Sequence, residues 1–276
     1  MAGSREKPGE RREFRRPERP PLEVFSTTLW TYPSQHYQGP VTGGRQGDQN
    51  YVGATPSWVI WQLLSRYTRD NDLLVDPMCG SGTSLDVAKD LGRRARGFDL
   101  VPQRPDIESS DARELPLDDE SADFYFVDPP YSTHIDYSDD PRCLGKLDAG
   151  GADHGEAYYQ AMSEVFQEAH RVLKNRRYLG VYISDSWRKK KGGPAGSGGG
   201  EFMPIAFRLF SLLERHFKPI DIVAVIRGNQ KLSRGSFHKE AVEQNYFLRG
   251  FNYLLIFKKV EDSAPPRPNN RPRGRR

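Results

Sequence analysis

Short apolar runs alternate along this chain with stretches whose apolar positions recur every three or four residues, the pattern of strands laid between helices. The runs predict strands over 73–75, 95–100, 123–127, 178–183, 220–226 and 251–257, with a further one closing before Ser110. Trp58, Val59, Trp61, Leu63, Leu64 and Tyr67 share a helical face, behind Thr55 as N-cap and Pro56 at the first helical position. Leu85, Val87, Ala88 and Leu91 predict a second helix, opening near Ser84 and ended by Gly92. Tyr159, Met162, Val165, Phe166, Ala169 and Leu173 predict a third over about 156–174, and a fourth follows over about 204–217. The alternation implies an α/β fold with one mixed seven-stranded sheet. No internal repeat is visible.

The ends break the pattern. Residues 1–22 are rich in Arg, Glu and Pro and almost free of apolar side chains. Such a segment cannot bury enough surface to offset its ordering entropy, so disorder is expected. The tail over 261–276 sets Arg267, Arg271, Arg273, Arg275 and Arg276 among prolines. It suits either solubility or non-specific phosphate contact, and one domain over 23–260 lies between the two ends. With 41 basic against 37 acidic residues, only this tail is strongly one-signed. No apolar run approaches the ~20 residues of a membrane span, and the polar, Arg-rich start is unlike a secretory signal. A cytoplasmic protein without membrane contact is therefore expected. Cys79 and Cys143 form no disulfide framework, and neither they nor the six histidines show metal-ligand spacing. No metal site is expected.

Chemistry concentrates where the strands end. After 73–75 comes Asp76-Pro77-Met78-Cys79-Gly80-Ser81-Gly82-Thr83. Its small residues let the backbone turn tightly and approach a ligand just before a helix begins. Strand, turn and helix N-terminus make a nucleotide-binding corner of an open α/β sheet. Neither Gly-x-Gly-x-x-Gly nor Gly-Lys-Ser/Thr is present, so the corner is neither of the two best-known phosphate loops. Asp99, followed by Leu100, stands at the carboxyl end of the next strand, where an acid can take both hydroxyls of a ribose. The strand over 123–127 ends in Asp128-Pro129-Pro130-Tyr131.

These two motifs together resemble the DNA amino-methyltransferase family, which methylates adenine N6 or cytosine N4 with S-adenosylmethionine; the resemblance spans roughly 30–260. It implies a Rossmann-like class I methyltransferase fold with helices on both faces of the sheet. It also implies a cofactor site made by Thr55, Asp76, Pro77, Cys79, Gly80, Ser81, Gly82, Thr83, Asp99, Leu100, Asp111 and Ala112. Thr55 then lies near the methionine carboxylate, and Asp111 accepts from the adenine amino group. Asp128, Pro129, Pro130 and Tyr131 become the catalytic set. An exocyclic amine is a poor nucleophile because its lone pair is delocalised into the ring. Asp128 and the Pro129 carbonyl would accept its two hydrogens and turn the lone pair toward the methyl group. Tyr131 would stack on a base flipped out of the helix.

Alternatives narrow unevenly. Methylation at carbon 5 of cytosine needs a cysteine nucleophile, usually after proline, and neither cysteine here follows one. Protein-glutamine and some ribosomal relatives carry Asn in place of Asp128. Asp in that position favours adenine N6, with cytosine N4 next. DNA is the expected partner, in a restriction-modification setting; an RNA base amino-methyltransferase or a catalytically idle nucleic-acid-binding subunit are the other readings. No separate target-recognition domain is present, so recognition falls to the loops 132–155, 188–203 and 227–249, to a specificity partner, or to a homodimer. Arg227, Lys231, Arg234 and Lys239 in the last loop are candidate phosphate contacts.

Overall fold

In a computed structural model, the protein is described over residues 19–188, 201–226, 235–243 and 245–261. Its strands are β1 (Leu29–Trp30), β2 (Leu73–Asp76), β3 (Arg94–Asp99), β4 (Ile107–Ser109), β5 (Ala122–Val127), β6 (Leu173–Ile183), β7 (Ser186–Arg188), β8 (Glu201–Met203), β9 (Lys218–Ile226) and β10 (Phe251–Lys258). Its helices are α1 (Ser57–Tyr67), α2 (Thr83–Asp90), α3 (Glu156–Val172), α4 (Ile205–Leu213) and α5 (Gly235–Glu243).

Eight strands form one sheet in the order β1-β9-β10-β6-β5-β2-β3-β4. Only β10 runs against the others. The chain winds outward from β2 through β3 to β4, then returns to β5 on the other side of β2. That reversal leaves a crevice above the carboxyl ends of β2 and β5, where open α/β sheets hold their ligands. The expected α/β class stands, with eight strands rather than seven. The extra one, β1, has two residues, too few for any periodicity to announce, and pairs with Ala224 and Val225 of β9. β7 and β8 form a separate antiparallel ribbon.

α1 and α2 cover one face of the sheet and α3 and α4 the other, each with its own apolar cluster. On α3 the fully buried tyrosine is Tyr158, one position before the expected Tyr159. Residues 1–18, 189–200, 227–234, 244 and 262–276 lie outside the described residues, and with them Arg227, Lys231, Arg234 and most of both expected disordered ends. Within the described part, Arg19 donates to the Gly44 carbonyl at 2.7 Å and Leu22 packs on the core. Among the described residues no helix is long and apolar enough to cross a membrane.

One carboxylate gathers several of the bonds that tie the irregular segment before α1 to the domain. Asp90, at the end of α2, accepts from the backbone N–H of Val41 (3.0 Å) and Thr42 (2.8 Å), and from the hydroxyls of Tyr37 (2.8 Å) and Thr42 (2.6 Å). Burial pushes its pKa up, but the Thr42 and Tyr37 bonds outweigh that and hold it below the ordinary 3.8. Asp90→Ala strands four donors and is expected to cost about 3 kcal/mol. The bonds' contribution is complete above the ordinary carboxylate pKa and is lost as pH falls through the lower folded value. Denaturant melts of both proteins at neutral and acidic pH should therefore differ at the first and converge at the second.

Candidate active site

A cavity of about 1140 Å³ opens over the crevice. Its wall is built from residues at the carboxyl ends of the parallel strands: Asp76 ending β2, Asp99 ending β3, Asp111 after β4, Asp128 after β5 and Asp185 after β6. β10 runs the other way, so it contributes from its amino end, through Arg249 and Asn252.

The turn after β2 is held from below by Asp76, which accepts the Met78 N–H at 3.1 Å and the Ser84 hydroxyl at 2.5 Å. Burial pushes Asp76 up to about 7. Gly80 has φ 47° and donates its N–H to Asp99 at 3.0 Å. A Cβ there would stand 2.7 Å from the Tyr51 ring, so any side chain at this position is both strained and crowded. Asp99 also accepts the Val101 N–H at 3.1 Å, and burial raises its pKa. A carboxylate has about four acceptor sites, so Asp99 retains capacity for a ligand hydroxyl. Asp111 forms a fork with Arg113 at 2.9 and 2.7 Å; burial opposes ionisation, but Arg113 prevails and lowers the pKa. Cys79 is free and buried, and burial lifts its thiol pKa well above the ordinary value.

Above this corner stands the Asp-Pro-Pro-Tyr turn. Tyr158 of α3 donates to the Pro130 carbonyl at 2.7 Å and pins the turn to the core. Asp128 receives two hydroxyls, Tyr131 on Oδ1 at 3.0 Å and Thr55 on Oδ2. Walled in by these groups, it has its pKa pushed up to about 7 by burial, against the lowering effect of both hydrogen bonds.

Most of the predicted residues meet in this cavity: Thr55, Asp76, Pro77, Cys79, Gly80, Ser81, Thr83, Asp99, Leu100, Asp111, Ala112, Asp128, Pro130 and Tyr131 all line it. Two do not. Gly82 is the N-cap of α2 with φ 76°, and the Arg104 guanidinium covers it from outside. Pro129 is buried behind the turn. Thr55 needs correction as well. α1 begins at Ser57 behind Pro56, and no side chain caps it. The extended Pro56 places Thr55 one residue too early to cap, so its hydroxyl goes to the Asp128 carboxylate instead. Lys239 lies exposed on α5, 3.7 Å from Glu243 and outside the cavity wall.

Several wall residues escaped the sequence reading. The segment before α1 folds over the corner: Asp48 N–H reaches the Ser81 carbonyl at 3.0 Å, and Gly47 N–H reaches Asp86 at 2.7 Å. This sets Tyr51 over Gly80 and beside Tyr137, ring centroids 6.4 Å apart. Asn252 is 6% exposed, and its Oδ1 has no hydrogen-bond partner. The signal for the first was the run of glycines over 43–53; for Asn252, it was an amide opening an otherwise apolar strand.

Geometry and topology together thus define an open α/β protein with a nucleotide-sized cavity at its switch point. A family model described as DNA methylase matches residues 5–107, which include β2, the glycine corner and Asp99. Over that stretch the chain is similar to DNA methylases. Among solved structures, a SAM-dependent methyltransferase from Methanosarcina mazei aligns at 14% identity and TM-score 0.45, over 72% of this chain and 97% of that one. Geranyl diphosphate C-methyltransferase from Streptomyces coelicolor A3(2) aligns at 15% identity and TM-score 0.45, over 74% and 79%. TrmN from Thermus thermophilus aligns at 15% identity and TM-score 0.48, over 76% of this chain and 50% of that one. No curated protein sequence matches.

Proposed function

We propose that the chain transfers a methyl group from S-adenosylmethionine to an exocyclic amine of a DNA base, adenine N6 before cytosine N4. The observation that carries this reading is the placing of Asp128, with hydroxyl donors on both oxygens, in the same cavity as the Gly80–Asp99 corner. The corner fits the cofactor: a tight backbone cradle at Gly80, beside the half-buried Asp99 carboxylate, which can accept from a ribose hydroxyl. S-adenosylmethionine supplies the electrophilic methyl group.

The remaining work belongs to this chain. Thr55 and Tyr131 orient the Asp128 carboxylate, which accepts one amine hydrogen and aims the nitrogen lone pair across the cavity. A pKa of about 7 also suits Asp128 to take the proton that the amine sheds at neutral pH. Incubation of DNA and RNA separately with labelled cofactor, followed by mass analysis of nucleosides, tests the reading. N6-methyladenine in DNA is expected; label in RNA alone, or in neither, overturns it.

Tyr131→Phe separates the ring from the hydroxyl. The ring face remains for a base, but Asp128 loses a hydrogen bond that lowers its pKa. The variant should keep most of its base affinity while the acidic limb of its rate profile moves to higher pH. Tyr131→Ala should lose base binding as well, by roughly 1–3 kcal/mol.

A further inference from the structure

Two exposed aromatics beside the cavity mouth lie outside the main sheet. Trp187 and Phe202 sit directly opposite each other on the β7–β8 ribbon, 39% and 42% exposed, with ring centroids 5.5 Å apart. The ribbon is no loose flap. Met203 is buried in the core, Ser186 meets His134, and Asp185, just before β7, accepts the Ala206 N–H at 3.0 Å.

Against these rings lies Arg249, its guanidinium carbon 4.7 Å from the Phe202 centroid and 5.8 Å from that of Trp187. Its Nε is buried without a hydrogen-bond partner, and among the described residues no carboxylate pairs with it. Trp187 and Arg249 both line the cavity that holds Asp128 and Tyr131. Two partly exposed rings and a cation without a carboxylate partner among the described residues therefore adjoin the place where a target base would lie.

We propose that Trp187, Phe202 and Arg249 form a stacking platform for the nucleotides next to the target base, on a single-stranded or locally unpaired nucleic-acid segment. Rings match the faces of bases whatever their sequence, and a cation between them matches the phosphate that joins them. In a paired duplex the base faces are already stacked on each other and cannot reach the platform. The inference rests on the nucleic-acid reading above and adds the strand state of the substrate.

The test uses the full chain with single-stranded DNA and RNA of about 12 nucleotides, within the ~4–16 nucleotide span of stacking grooves, and the matching duplexes. Affinity and tryptophan emission are read together. The wild type should bind single strands more tightly than duplex, with quenched emission. Trp187→Ala and Phe202→Ala should each weaken single-strand binding roughly 5- to 100-fold. Trp187→Phe should recover most of the affinity but lose most of the quench, which a structural role for the residue would not produce. Arg249→Gln should weaken binding and lower the salt slope by about one.

Undiminished single-strand binding in both alanine variants, or duplex bound as tightly as single strands, overturns the platform and leaves the methylation reading standing. A preference for RNA keeps the platform and overturns DNA as the substrate. A wild type that binds no nucleic acid overturns both.

Discussion

Asp128→Ala is expected to lower methyl transfer about 1,000-fold, the range for removing a preorganised charge or a general base, while S-adenosylmethionine binding survives. In the proposed function the residue faces the amine, while the cofactor contacts lie in the turn after β2 and at the end of β3. Calorimetry with the cofactor and a single-turnover assay on the same folded variant check the two halves. A wild-type rate in a folded, cofactor-bound variant would show that Asp128 is not the amine acceptor.

The raised pKa adds two further outcomes. The carboxylate works ionised, so the wild-type rate should fall as pH drops below about 7. Stability should run the other way. The folded pKa lies above the ordinary 3.8, so the native state holds the extra proton across that window and stability declines as pH rises through it. Asp128→Asn cannot ionise. It should melt above the wild type at about pH 8 and close to it at about pH 4, a gain in stability at the expense of activity. Equal melting temperatures at both would mean that the carboxylate is better solvated than its surroundings imply.

Asp99→Ala is expected to weaken cofactor binding about 100-fold, the equivalent of ~3 kcal/mol for lost bonds to a charged acceptor. Two losses combine: the partner of the ribose hydroxyls, and the acceptor that holds the Gly80 N–H at 3.0 Å. Asp99→Asn separates them, because its amide oxygen can still accept from Gly80 while the charge is gone. An intermediate affinity for the asparagine variant is expected by calorimetry. Cofactor affinity unchanged in both folded variants would place the ribose elsewhere in the cavity.

What the sequence determined by itself was local. The apolar runs that became β2 and β5 end in Asp76 and Asp128 with prolines directly after them, and chain direction alone puts both acids at strand ends. The small residues over 79–83 could only be a tight turn into a helix, because neighbouring residues decide that geometry. The α/β class followed from periodicity in the same way. Tertiary structure decided what lies between distant segments. Thr55 caps nothing and instead serves Asp128, 73 positions away, because the extended Pro56 sets it one residue before the helix N-cap. β1 exists only because β9 offers two residues of free edge. Tyr51 over Gly80, Asn252 in the cavity and Arg249 against Trp187 and Phe202 all depend on loops closing onto one another. No periodicity records such closures, since they arise from packing between elements rather than from the order of residues within one.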